Sequence, residues 1–185
     1  MAGSRSVTSL VAYPMALPNA RPALTGVDGR PSRRGLVASV NVSAGGVPKR
    51  AIERARVRES GMEGDRQRNL KYHGGPSRAL CLYSLELIAI LRAEGHPIGI
   101  GTTGENLTLS GIDWALMVPG VALRAGEAEL ELTAYAPPCR VIADSFTGRR
   151  LGRISEQANA GWSRLYAKVR LEGAIWRGSV VMLLP

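Results

Sequence analysis

Apolar positions come in short bursts along this chain, punctuated by glycine and proline. Residues 36–42 (LVASVNV) set Leu36, Val37, Val40 and Val42 among small residues. They predict a strand that ends in a glycine turn at 44–46. Residues 50–68 are charged and irregular, with glycines at 61 and 64, and predict short strands joined by loops. Residues 80–83 (LCLY) form a continuous apolar run, the pattern of a strand buried on both faces. Ser84 then stands where a helix N-cap belongs, with Glu86 in the first turn against the macrodipole. Leu87, Ile88 and Leu91 give that helix its apolar face, and Gly95 is its C′ stop. Residues 105–109 are β-prone. Residues 129–133 (ELELT) alternate polar and apolar, as a half-buried strand does. Residues 179–184 close the chain as a further strand. Many short strands with one good helix predict a mainly β (α+β) fold. A β-barrel carrying a few short helices fits this better than a doubly wound sheet.

Residues 1–34 lack lasting periodicity and are rich in Pro, Ser, Ala and Arg. They are expected to be a flexible N-terminal arm, with residues 35–185 forming one domain. The formal net charge is +9. The arm holds five arginines against Asp28 alone, so the body is only moderately basic, and it carries just three lysines, Lys49, Lys71 and Lys168. Guanidinium groups suit phosphates and carboxylates. Aromatic residues are sparse at 5% and no helix-turn-helix pattern occurs, so nucleic-acid binding is not expected. No apolar run reaches the ~18 residues of a membrane span. Two cysteines without CxxC spacing argue against a disulfide scaffold and a structural zinc site. Free thiols fit a reducing compartment, so the expected location is cytoplasmic.

Residues 99–104 match G-x-G-x-x-G, yet no helix pattern follows to present N–H groups to a pyrophosphate, so a dinucleotide site is not expected. Cys139 follows Pro137 and Pro138, which stiffen its approach and present the thiol on a loop. Arg140 is adjacent, and positive charge favours the thiolate, the form that acts as nucleophile or metal ligand. A buried structural cysteine is the alternative at this position. Cys81 lies inside an apolar strand and reads as structural. His73, followed by Gly74, Gly75 and Pro76, sets an imidazole where a ligand or backbone can approach closely.

These segments together resemble the MOSC domain family. The resemblance is carried by Ser39 to Ser43 with Gly45 to Lys49; by Gly64-Asp65 and His73-Gly74-Gly75-Pro76 with Ala79 and Tyr83; by Gly104 to Thr108 with Gly111; by Pro138-Cys139; and by Trp162 to Ala167 with the terminal strand. It runs from about residue 35 to 184, in family order. It implies a MOSC-type β-barrel that binds the molybdenum cofactor, as Mo-molybdopterin, with Cys139 as both catalytic residue and metal ligand. The implied activity is that of an oxidoreductase reducing N-hydroxylated compounds with electrons from a partner protein. The alternative is a sulfur carrier without turnover, holding a persulfide on Cys139 supplied by a cysteine desulfurase partner, or a cofactor chaperone. A non-catalytic interaction domain is a third reading. Asn41, Lys49, His73, Gly74, Gly75, Arg78, Glu105, Asn106 and Arg140 are the expected cofactor-binding residues, converging at one mouth of the barrel. Cationic groups would hold a phosphate, and Asn41, Asn106 and Glu105 would meet the pterin edge. One departure is plain: many cofactor-binding members carry an arginine two residues before the Pro-Cys pair, and Ala136 stands there.

Overall fold

The computed structural model describes residues 23–26, 28–66 and 74–185. Eleven strands are present among them: β1 (Arg34–Val42), β2 (Arg50–Ile52), β3 (Arg54–Arg58), β4 (Gly61–Met62), β5 (Leu80–Ser84), β6 (Leu107–Ser110), β7 (Ala122–Ala125), β8 (Ala128–Ala136), β9 (Arg164–Leu171), β10 (Gly173–Trp176) and β11 (Val180–Leu183). The main sheet runs β11-β7-β8-β9-β5-β6-β1-β2, and β11 also pairs with β1. That last pairing, Leu36 opposite Val180, closes seven strands into a barrel with β2 attached outside the ring. Closure removes the two exposed edges that an open sheet would present. Strands β10, β3 and β4 form a second, small sheet. No helix of the described residues is long and apolar enough to cross a membrane.

The α-helix, α1 (Leu85–Ala93), forms as its sequence dictates. Leu87 N–H donates to Ser84 Oγ, Gly95 sits at φ 89°, and Leu87, Ile88 and Leu91 are buried. Glu86 is also buried: it accepts from Ser84 Oγ at 2.7 Å and from Gly111 N–H at 2.8 Å, tying the helix start to the turn after β6. Among the described residues, short 3₁₀ turns supply the remaining helical backbone.

Among the described residues only β5–β6 is a parallel pairing, and α1 lies between those two strands as their crossover. Leu80 and Leu82 of β5, Leu107 and Leu109 of β6, and Leu165 and Ala167 of β9 meet in one core with α1. Each fully buried leucine contributes roughly 1.5–3 kcal/mol. Alternation along β5 and β9 sends the intervening residues to the opposite face. There Cys81, Tyr166 and Ala136 form a separate small cluster. Residues 164–171 alternate apolar Leu165, Ala167, Val169 and Leu171 with Arg164, Tyr166, Lys168 and Arg170, the period of a strand, and they form β9. In the fold β9 is the hub, paired with both β5 and β8. A register shift between Leu132 and Ala134 lets β8 serve the barrel core at Leu132 and the outer cluster at Ala136.

Candidate functional site

A cavity of about 340 Å³ lies against the outer face of the β5–β9–β8 wall. Its floor holds Cys81, Tyr166 and Arg164, and its other sides come from the loop after β1, residues 103–106, and residues 139–142. Of the residues expected from the sequence, Lys49, Arg78, Asn106 and Cys139 line it. Cys139 is half-buried at the start of a 3₁₀ turn (Arg140–Ser145), directly after Pro137 and Pro138.

Asn106 is the keystone of the cavity wall. It accepts from Cys81 N–H through Oδ1 at 3.1 Å and donates its own N–H to Cys81 O at 2.7 Å. Its Nδ2 donates to Asp65 Oδ2 at 2.8 Å. The same carboxylate oxygen accepts from Lys49 Nζ at 2.6 Å, and Asp65 Oδ1 accepts from Ser43 N–H at 2.8 Å. Lys49 therefore faces the cavity with its charge already matched by a carboxylate. Gly101, at φ 78°, makes this possible: a Cβ there would lie 2.2 Å from Lys49 O, and Lys49 N–H donates to Gly101 O at 2.9 Å. The glycine-rich stretch 99–104 is thus a brace for the Lys49 loop.

Asn41 and Glu105 lie behind the cavity wall, fully buried. Asn41 accepts from Ser39 Oγ at 2.7 Å and donates to Thr108 Oγ1 at 3.1 Å. Glu105 accepts from Gly101 N–H at 2.5 Å, Thr103 Oγ1 at 2.7 Å and Thr108 Oγ1 at 3.2 Å. Both hold the wall together and do not line it. Arg140, Gly74 and Gly75 do not line the cavity either; Arg140 and Gly75 are exposed. His73 lies outside the described residues. The sequence reading brings these groups to a barrel mouth, whereas the cavity sits on the outside of the wall.

Arg164 was not legible as a site residue. It is 5% exposed, donates through Nη1 to Thr103 O and through Nη2 to Pro137 O at 3.2 Å, and its Nε has no acceptor among the described residues. A buried, unpaired donor of a charged group is costly unless a ligand completes it. Its place is set by the segment before it: Tyr83 OH donates to Trp162 O at 3.0 Å, Trp114 Nε1 donates to Ser163 O at 3.1 Å, and Ser163 Oγ donates to Ala136 O at 3.2 Å. Across β8–β9, Arg164 pairs with Ala136. A guanidinium therefore stands beside the position where Ala136 lacks one. Arg78 sits 5.5 Å over the Tyr166 ring. Cys81, read from sequence as structural, is only 6% exposed yet forms part of the cavity floor. Burial pushes its thiol pKa up, and the charge of Arg164 opposes that rise.

This arrangement puts two thiols and several cations around one concave space, which suits an anionic ligand that also bonds to sulfur. No cluster of three or more His, Cys, Asp or Glu able to hold a metal occurs among the described residues. A metal here would rely on a thiol and on donors brought by a cofactor.

The MOSC domain family model matches residues 69–182, well over half of the chain. The uncharacterized protein YflK of Bacillus subtilis is 28% identical over 141 residues, which is 75% of this chain and 63% of that protein. Protein YiiM of Escherichia coli is 30% identical over 109 residues, 56% of this chain and 49% of its own length. The chain thus spans less than two thirds of either relative. The crystal structure of YiiM from Geobacillus stearothermophilus superimposes with a TM-score of 0.63 at 23% identity, covering 82% of this chain and 75% of that one, a likeness of fold.

Proposed function

This chain belongs to the MOSC domain family, and from that premise we propose that it binds a molybdopterin form of the molybdenum cofactor in the Cys139 cavity and reduces N-hydroxylated compounds. The observation that carries this reading is the buried Arg164 guanidinium, with an unpaired Nε, lining the same cavity as Cys139. A thiol ligand and a fixed cation in one cavity fit a metal-bearing, phosphate-bearing pterin. When bound, the cofactor supplies a metal centre that passes electrons to the substrate N–O bond. Balanced overall, R–NHOH takes up two electrons and two protons and leaves as R–NH2 and water. Electrons come from a partner protein and protons from solvent.

The chain's own residues do the holding. Cys139 offers its thiol from a loop stiffened by two prolines. Arg164 supplies a fixed positive charge in the cavity lining for an anionic group. Asn106 and Asp65 keep Lys49 and the Cys81 backbone in place. Val141 and Ile142 line the cavity with apolar surface, which excludes water and strengthens the cationic contacts.

Protein made in a molybdenum-replete host tests this by metal analysis and pterin fluorescence. Wild type is expected to carry both, with metal lost in Cys139→Ser and pterin retention reduced at least tenfold in Arg164→Met. Neither metal nor pterin in wild type would sink cofactor binding. Loaded protein that fails to turn over a hydroxylamine with an artificial reductant would sink the reductase. A second reading, a sulfur carrier with a persulfide on Cys139, is favoured by one separate observation: Cys81 shares the cavity.

A further inference from the structure

Cys81 and Cys139 line one cavity but stand in opposite circumstances. Cys139 is half-buried on a loop, while Cys81 is 6% exposed on β5, which is paired on both sides, by β9 and by β6. Tyr166 pairs with Cys81 across β5–β9, and burial raises the pKa of its hydroxyl. The Cys81 backbone is pinned at N–H and at C=O by one residue, Asn106. The Arg164 guanidinium, with Nε unpaired, acts on the Cys81 sulfur. One sulfur is thus open to reagents from outside; the other is sheltered, fixed and set beside a buried cation that stabilises a thiolate as it forms.

We propose that Cys81 is a resolving thiol that releases sulfur carried as a persulfide on Cys139. This rests on the sulfur-carrier reading. The Cys81 sulfur attacks Sγ of the Cys139 persulfide, a Cys81–Cys139 disulfide forms, and the Cys139 S–S bond breaks. The outer sulfur departs as hydrosulfide and takes up the Cys81 proton. The sulfane sulfur is reduced by two electrons, and the two cysteines are oxidised together to the disulfide. A thiol reductant then returns the pair to the dithiol. Bridging needs Cβ atoms about 3.8 Å apart. Cys81 is held by the sheet and Asn106, so the loop bearing Cys139 makes the approach. Burial raises the Cys81 pKa and the charge of Arg164 opposes that rise.

The test uses the full chain treated with inorganic polysulfide, desalted, and followed by intact mass and by sulfide release. Wild type is expected to gain about 32 Da per sulfur, then release sulfide and finish about 2 Da below the reduced mass. Cys81→Ala is expected to gain the sulfur on Cys139 and hold it, with sulfide release slowed at least tenfold. Wild type that takes up no sulfur overturns the sulfur-carrier reading and this proposal with it. Wild type that loads on Cys139 but releases sulfide no faster than Cys81→Ala leaves the carrier reading standing and overturns the resolving role. Diamide oxidation of untreated wild type gives an independent readout that needs no variant. A linked peptide pair containing Cys81 and Cys139 in a monomer is expected, and its absence overturns the proposal.

Discussion

Asp65→Ala removes the acceptor on which the cavity wall converges. In the folded protein the Asp65 side chain is 3% exposed and that of Lys49 is 10% exposed, 2.6 Å apart. The substitution leaves an ammonium group buried without a counter-charge, and Ser43 N–H and Asn106 Nδ2 each lose an acceptor. Breaking one side of a buried pair costs about 3–5 kcal/mol, because the remaining charge keeps its desolvation penalty. With a urea m-value of about 2 kcal/mol/M, the unfolding midpoint falls by roughly 1.5–2.5 M. Urea titration followed by tryptophan fluorescence measures it. Adding Lys49→Met to the same chain is expected to recover more than about half of the loss, since it removes the stranded charge. A shift below about 0.5 M in the single variant, the size of an exposed pair, would refute the view that this ion pair is structurally buried. So would a double variant no more stable than the single one. Alkylation of Cys81 should also quicken in Asp65→Ala, because Asn106 loses the partner that orients it.

Two further outcomes follow from the same structure. Gly101→Ala is expected to lower stability by about 2–4 kcal/mol, read by thermal melting, because φ is 78° and the added Cβ falls 2.2 Å from Lys49 O. In Gly99→Ala, where φ is not positive and the nearest atom is at 3.6 Å, the loss should be much smaller. Stability is expected to fall as pH rises past about 9. Burial raises the pKa values of Cys81 from 9.0 and of Tyr83 and Tyr166 from 10.0, so the unfolded chain loses these protons first. Their contribution is whole below the unfolded values and is lost on the alkaline side. Urea midpoints at pH 7, 9 and 10.5 check this, and Cys81→Ala should show a shallower fall between the first two.

The amino-acid sequence carried the local structure well. Ser84, Glu86, Leu87, Ile88, Leu91 and Gly95 specify α1 because capping, dipole and face are set within a few residues. The alternation at 129–133 specifies β8 for the same reason. Cys139 on its proline-stiffened loop and the MOSC family were also legible, since both rest on residues near one another or in fixed order. The strand at 164–171 alternates too, Leu165, Ala167, Val169 and Leu171 against Arg164, Tyr166, Lys168 and Arg170, but its place between β5 and β8 was not legible, because pairing is set by residues far apart in the chain.

Which side chains share the cavity depended on long-range register. Cys81 read as structural because Leu80-Cys81-Leu82-Tyr83 is apolar throughout, yet alternation in β5 turns Leu80 and Leu82 to the barrel core and Cys81 to the opposite face. Lys49 read as a free cation until folding set Asp65, sixteen residues on, at 2.6 Å. Arg164 came to the cavity floor only through the pairings of β9 with β8 and β5. Caps, turns and short periods are decided by neighbours along the chain, so sequence alone determined them. The charge balance and sulfur content of the cavity were decided by tertiary structure, because strand register selects the face each residue presents and a shift by one residue exchanges them.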